Sequence, residues 1–171
     1  LGILLILTSI HTKSFGLLSQ TRIGQYGKPF QLLKLKTMII DGEDTTFITT
    51  SKDPRITKFG HFLRKTKLDE LPQLWNVLFG EMSFVGPRPD VSGYADQLEG
   101  DDKIILSVKP GITGPASLAF RDEEELLAQK DNPKQYNDEV IWPQKVKINK
   151  AYVENYSFKN DLMYVIKTIL G

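Results

Sequence analysis

Hydrophobic and polar positions along the chain fall into a few distinct rhythms. The opening LGILLILTSI is almost uniformly apolar and gives way at once to His11, Thr12 and Lys13. From Phe30 to Met38 the period is two, with Phe30, Leu32 or Leu33, and Leu35 separated by Gln31, Lys34 and Lys36, which predicts a short strand with Lys34 and Lys36 on one side. Those lysines are equally well read as solvated residues of an edge strand. Ile56, Phe59, Phe62 and Leu63 predict an amphipathic helix, and Leu68, Leu71, Leu74, Trp75 and Leu78 predict a second one. Pro72 fits the second helix only within its first turn, where a missing N–H costs no helical bond. A further helix is expected around Tyr94 to Leu106, and the acidic run Asp122 to Glu125 is placed to open another. The remainder is polar and helical in pattern, and Trp142, Tyr152, Tyr156, Phe158 and Tyr164 read as core packing or as an interfacial aromatic set. Asp41 to Lys52 has no period and reads as a surface loop, and KPGITGPASLAF as a loop dense in backbone constraint.

Ten apolar residues are too few for a membrane-spanning helix, which needs about 20. Neither a basic leader nor a small-residue cleavage site accompanies them. A buried core helix, the tail of a longer membrane segment and a piece that enters the membrane without crossing are the three readings. The absence of a polar face and the abrupt polar boundary favour membrane contact.

Composition removes several function classes. At 171 residues the chain has the length of a single domain. A formal net charge of +1 provides no argument for nucleic acid, and none is expected as a partner. The lack of cysteine excludes disulfides, thiolate metal sites and a cysteine nucleophile, and His11 and His61 are too far apart in sequence to suggest a zinc site. Charge is nonetheless uneven: Lys52, Arg55, Lys58, Arg64, Lys65 and Lys67 are met only by Asp53 before residue 69. Such a basic face is either plain solvation or a surface for phosphates and anionic headgroups.

Chemistry concentrates between Arg64 and Pro89. Asp69 and Glu70 are adjacent carboxylates at or just before a predicted helix start. Asp69 alone would be explained as a helix cap. Glu70 beside it, the basic run before it and Arg88 fixed between Pro87 and Pro89 go beyond capping. Neighbouring residues on a helix point about 100 degrees apart, so one acid is free to face a bound group while the other faces a supporting partner. Arginine in a proline-stiffened segment suits bidentate contact with phosphate.

The segments RIGQYGKPFQLLKLKTM, DPRITKFGHFL, LRKTKLDELPQLWNVLFGEMSFVGPRP and KPGITGPASL, in that order, resemble the bacterial sugar transferase family, the monotopic phosphoglycosyl transferases. The resemblance covers about residues 20 to 121, and the tail around SFKNDLMYVIKTIL matches more loosely. It implies an enzyme that transfers sugar 1-phosphate from a UDP-sugar donor to undecaprenyl phosphate, releases UMP and initiates surface polysaccharide or glycoconjugate assembly. It implies a mainly helical α+β fold, a single compact catalytic domain over residues 16–171, preceded over residues 1–15 by the remnant of a re-entrant membrane helix. By the match of LDELPQ, Asp69 is the expected nucleophile, carrying a phosphosugar-aspartyl intermediate, and Glu70 its support. Mg²⁺ is the expected cofactor, with Asp69 as its ligand. Arg64, Arg88, Lys36 and Arg121 are the expected phosphate- and substrate-binding residues, Arg121 toward the nucleotide. Membrane lipids are the further expected partners, at the cytoplasmic face of a bacterial inner membrane. The chain departs from the family in lacking the first half of the re-entrant helix with its Ser-Pro break, and in reading PASLAF after PGITG, which bears on sugar preference. Two rival readings of the same residues are a Mg²⁺-dependent phosphohydrolase and a non-catalytic module that binds anionic lipid.

Overall fold

A computed structural model of the chain describes residues 1–39 and 53–170. The polar stretch Asp41 to Lys52, expected to be a surface loop, lies outside these described residues. Helix α1, Gly2–Thr12, leads into a hairpin of β1, Leu17–Ile23, and β2, Pro29–Leu35. The strands pair antiparallel, with Leu18 opposite Lys34, Gln20 opposite Leu32 and Arg22 opposite Phe30. Ser19, Thr21 and Gln31 form the outer face and bond to one another, so the other face is the one turned to the protein body.

Helix α1 buries its small polar residues rather than its apolar ones. Thr8 and Thr12 are fully enclosed, while Ile3, Ile6 and Ile10 stay exposed at 76%, 62% and 66%. Ser9 accepts a bond from the Gly16 amide and so ties the helix to the strand that follows. LGILLILTSI does not fit a buried core helix, because Ile3, Ile6 and Ile10 stay uncovered among the described residues while Leu4 and Leu5 are only half-buried. None of the described helices is long and apolar enough to cross a membrane.

Helix α2, Lys58–Lys65, is capped by Thr57, whose hydroxyl accepts from the Gly60 amide at 2.8 Å. Leu63 is fully buried, whereas Phe62 is half-exposed and stacks near Phe59, itself stacked on His11 of α1. A Cβ at Gly60 would strike the Thr37 carbonyl, so only glycine lets α2 lie this close to the end of β2.

Helix α3, Gln73–Leu78, inverts the expected polarity. Gln73 and Asn76 are buried at 1% exposure each, while Leu74, Trp75, Leu78 and the following Phe79 face outward. Asn76 explains the inversion: its Nδ2 donates to the Gln31 carbonyl at 2.8 Å and to Glu81 at 2.7 Å, and its Oδ1 accepts from the Leu33 amide at 3.1 Å. One amide thus bonds α3 to the backbone of β2, and the leucines are left outside.

After α3, strand β3, Ser83–Val85, pairs in parallel with β4, Gly111–Thr113. The PGITG segment is therefore part strand rather than loop, and Gly111 sits so close to Gly86 that a side chain there would meet backbone. The α-helix expected around Tyr94 to Leu106 is replaced by two 3₁₀ segments, Ala95–Gln97 and Gly100–Ser107. Gly100 at φ 54° breaks the α path between them. Short helices α4, Pro115–Ala119, α5, Glu123–Leu127, and α6, Pro133–Tyr136, precede a π-helical turn at Asn137–Ile141. The chain closes with α7, Trp142–Glu154, and α8, Phe158–Leu170. Tyr152 is buried against Tyr156 and Tyr164, and Trp142 lies edge-on to Tyr94, so Tyr152, Tyr164 and Trp142 pack internally, while Tyr156 and Phe158 are exposed. The result is a compact, mainly helical α+β domain with two small two-stranded sheets among the described residues.

Candidate active site

Asp69 and Glu70 occupy a single 3₁₀ turn, Leu68–Glu70, between α2 and α3. The turn is entered through Lys67 in the left-handed conformation, φ 56° and ψ 17°, a backbone state that costs energy for a non-glycine residue and recurs at functional sites. Pro72 then caps α3, so the carboxylates stand just before the helix, as its spacing predicts. Because α3 has only six residues, the charge around the dyad is set by side chains rather than by a long helix.

The two acids are unlike. Asp69 is 8% exposed, and its Oδ1 is buried with no hydrogen-bond partner among the described residues. Burial, and then the neighbouring charge of Glu70, push its carboxyl up to about 6, against the opposing pull of Lys34, Arg88 and Arg64. Burial acts on Glu70 in the same sense, but Arg88 outweighs it and holds Glu70 below the ordinary range. Arg88 donates Nη2 to Oε1 at 2.6 Å and Nη1 to Oε2 at 3.2 Å, a two-pronged pair. Glu70 in turn raises the guanidinium's own affinity for its proton, so the pair stays ionised. Arg88 is held by buried Pro87 and Pro89, with the Pro87 carbonyl accepting from Gly111 and the Asp90 carbonyl from Ile23. Both sheets therefore grip the clamp.

The cations predicted from sequence separate into two groups. Arg64 and Arg88 both act on the dyad. Arg64 also donates Nη1 to Glu124 of α5 at 3.0 and 3.2 Å and Nε to Thr37 at 2.9 Å, so it bridges three segments. Lys36 points elsewhere, its Nζ donating to Ser14 at 3.1 Å beyond the end of α1. Arg121 donates to the Lys167 carbonyl at 3.0 Å, near the end of α8, and is not among the principal charges acting on Asp69 or Glu70.

Two cations not assigned to the site from sequence complete it. Lys34 lies on the inward face of the hairpin, and burial with the charges of Arg64 and Arg22 lowers it to about 8, with Asp69 pulling the other way. Arg22, on the same face, is also lowered, by burial and by Arg88. Four cations and two unequal carboxylates thus share one electrostatic centre, which suits a ligand carrying more than one negative charge. The period of two put Lys34 and Lys36 on one side; only the termination of β2 at Leu35 separates them. No cluster of three or more metal-binding side chains occurs among the described residues.

A family model described as bacterial sugar transferase matches residues 1–171. The chain belongs to the bacterial sugar transferase family. Among the relatives of this sugar transferase chain is the UDP-glucose:undecaprenyl-phosphate glucose-1-phosphate transferase of Klebsiella pneumoniae, 34% identical over 174 residues that cover 98% of the chain and 35% of the relative. The UDP-galactose-lipid carrier transferase of Erwinia amylovora is 34% identical over 164 residues, covering 86% and 31%. The Escherichia coli K12 UDP-glucose:undecaprenyl-phosphate glucose-1-phosphate transferase is 41% identical over 128 residues, covering 71% and 27%. The sugar transferase chain spans about a third of the length of the first two of these curated relatives.

Proposed function

We propose that this chain carries the catalytic site of a phosphoglycosyl transferase, moving sugar 1-phosphate from a UDP-sugar to undecaprenyl phosphate and releasing UMP. The observation that carries the reading is the division between the two acids: Glu70 is committed to Arg88, while Asp69 keeps a buried, unpartnered oxygen amid cations. A carboxylate freed of partners in a dry, cationic setting is equipped to attack phosphorus. In the first step an Asp69 oxygen bonds to the sugar-bearing phosphorus of the donor, and the bond from that phosphorus to the UMP oxygen breaks. In the second, a phosphate oxygen of undecaprenyl phosphate bonds to the same phosphorus and the Asp69–phosphorus bond breaks, regenerating the carboxylate. Glu70 keeps Arg88 oriented throughout, and the surrounding cations offset the charge of the approaching phosphates. The donor and acceptor classes follow the names of the relatives.

The chemistry of the site fits Mg²⁺, which takes one or two carboxylates together with substrate phosphates rather than a full protein cage. Asp69, with its orphaned oxygen, would hold it, and the ion would supply charge neutralisation of the diphosphate. The exposed apolar sides of α1 and α3 support contact with membrane lipids, in keeping with a monotopic protein at the cytoplasmic face of a bacterial inner membrane. The charge division within the dyad weighs against a lipid-binding module without catalysis.

The test is intact mass spectrometry of the full-length protein mixed with Mg²⁺ and a panel of UDP-sugars in the absence of acceptor. One donor should give a phosphosugar adduct that maps to Asp69 and disappears on adding undecaprenyl phosphate. UMP release with water as sole acceptor, leaving no lipid product, would replace the transfer with hydrolysis.

A further inference from the structure

The two-residue register of the hairpin puts Arg22 on the inward face with Lys34, and a bond from the Ile23 amide to the Asp90 carbonyl at 2.9 Å holds that end of β1 against the segment carrying Arg88. Gln20, on the same face, accepts from Arg22 Nη2 at 3.1 Å and fixes one corner of the guanidinium. The Nε–H is buried and has no hydrogen-bond partner among the described residues. Leaving such a donor unsatisfied costs stability, so a fold keeps it where something else completes it. The other arginines of the cluster are already matched, Arg64 by Glu124 and Arg88 by Glu70. Asp90, the acid facing Arg22, makes no hydrogen bond to it, and burial pushes that carboxyl up to about 6. Arg22 is thus a planar cation with an unused donor beside an acid that ionises reluctantly. Asp69 Oδ1, an unused acceptor, belongs to the same charge centre.

We propose that Arg22 is a phosphate-binding residue of this site, its guanidinium steadied by Gln20 and its Nε–H donated to a non-bridging phosphoryl oxygen. The inference rests on the phosphoryl-transfer reading given above. A planar donor held at one corner is pre-organised for an oxyanion, as a flexible ammonium is not. The same chemistry is offered by the diphosphate of the donor and the monophosphate of the acceptor.

Inorganic pyrophosphate is the first probe. In ¹H–¹⁵N spectra of the wild-type full chain, the Arg22 Nε–H signal, assigned through its loss in Arg22→Lys, should move as pyrophosphate is added. By calorimetry, Arg22→Lys and Arg22→Gln should bind pyrophosphate about tenfold or more weakly than wild type, the loss expected of one charge-assisted bond. Steady-state kinetics then identifies the source. A raised KM for UDP-sugar with an unchanged KM for undecaprenyl phosphate marks the donor diphosphate, and the opposite pattern marks the acceptor. An Nε–H signal unmoved by saturating pyrophosphate overturns the assignment without reference to any variant. So does an Arg22→Lys protein with wild-type pyrophosphate affinity and both KM values unchanged. Pyrophosphate binding through Arg22 in a chain that forms no aspartyl adduct would sink the transfer reaction and leave Arg22 standing; an adduct formed by Arg22→Lys at the wild-type donor KM, with the acceptor KM also unchanged, would do the reverse.

Discussion

Glu70 and Arg88, 18 residues apart in sequence, meet in a two-pronged ion pair in which the carboxylate is only 12% exposed and the guanidinium 46%. The guanidinium is half open to solvent, so the pair's worth lies less in stability than in geometry. Replacing Arg88 with Lys keeps the charge and loses the fork, and Glu70→Gln keeps the shape and loses the charge. Each is expected to lower kcat by about a hundredfold or more while moving the melting midpoint by only a few degrees. A parallel series of initial rates and thermal melts checks both halves of that statement.

Asp69 should trade stability for function. Its folded-state carboxyl lies near 6 against an ordinary 3.8, so the native state holds the extra proton between those values. The stability carried by the neutral carboxyl is present below the unfolded value and is lost as pH rises through about 6. Asn stays neutral at every pH. In metal-free protein Asp69→Asn is therefore expected to be inactive yet more stable than wild type at pH 8, by about 3 kcal/mol, with the gain vanishing near pH 4. Denaturant titrations at the two pH values decide it, and a variant less stable at pH 8 contradicts the account of the site.

Asn76 makes three bonds from a buried position. Truncation to Ala leaves the Leu33 amide and the Gln31 carbonyl without their partner and opens a cavity. The expected cost is about 2–4 kcal/mol. Because α3 is held to β2 through this side chain, and Lys34 sits on that strand, activity should fall as well, with the donor KM rising in folded protein.

Leu78 and Phe79 are each 71% exposed on the outer side of α3. If lipid covers them, Leu78→Glu with Phe79→Glu should reduce partitioning onto phospholipid vesicles by about tenfold or more in a sedimentation assay. Adduct formation from soluble UDP-sugar should survive, since neither residue belongs to the charge cluster.

Much of this was legible in the chain. The second strand of the hairpin, α2, and the dyad just ahead of α3 follow from period and the Pro72 rule, all local signals, whereas β1 and the Thr57 cap of α2 come from the structure. What escaped reading depends on distant partners. The apolar spacing of Leu74, Trp75 and Leu78 predicts a helix correctly but says nothing about which side is buried, and Asn76, bonded to a strand more than 40 residues earlier, reverses the usual answer. Lys34 and Lys36 are equivalent by period, and one enters the charge cluster only because the strand ends between them. Ser83–Val85 and Gly111–Thr113 are three residues each, too short for any period, and exist as strands through pairing across the chain. The α-helix expected near Tyr94 to Leu106 gives way to 3₁₀ segments because its apolar residues suit a 3₁₀ path equally well once Gly100 turns the backbone.

The inverted helix α3 bears on how the molecule behaves at the bench. A surface of Leu74, Trp75, Leu78 and Phe79 cannot be hidden by repacking inward, because Gln73 and Asn76 already occupy the inside. In plain buffer two such surfaces will find each other, so sedimentation should report association that grows with concentration and dissolves on adding mild detergent. An apparent dimer obtained that way would measure the helix's want of cover, and an oligomeric state worth interpreting is one recorded with that surface already wetted by amphiphile.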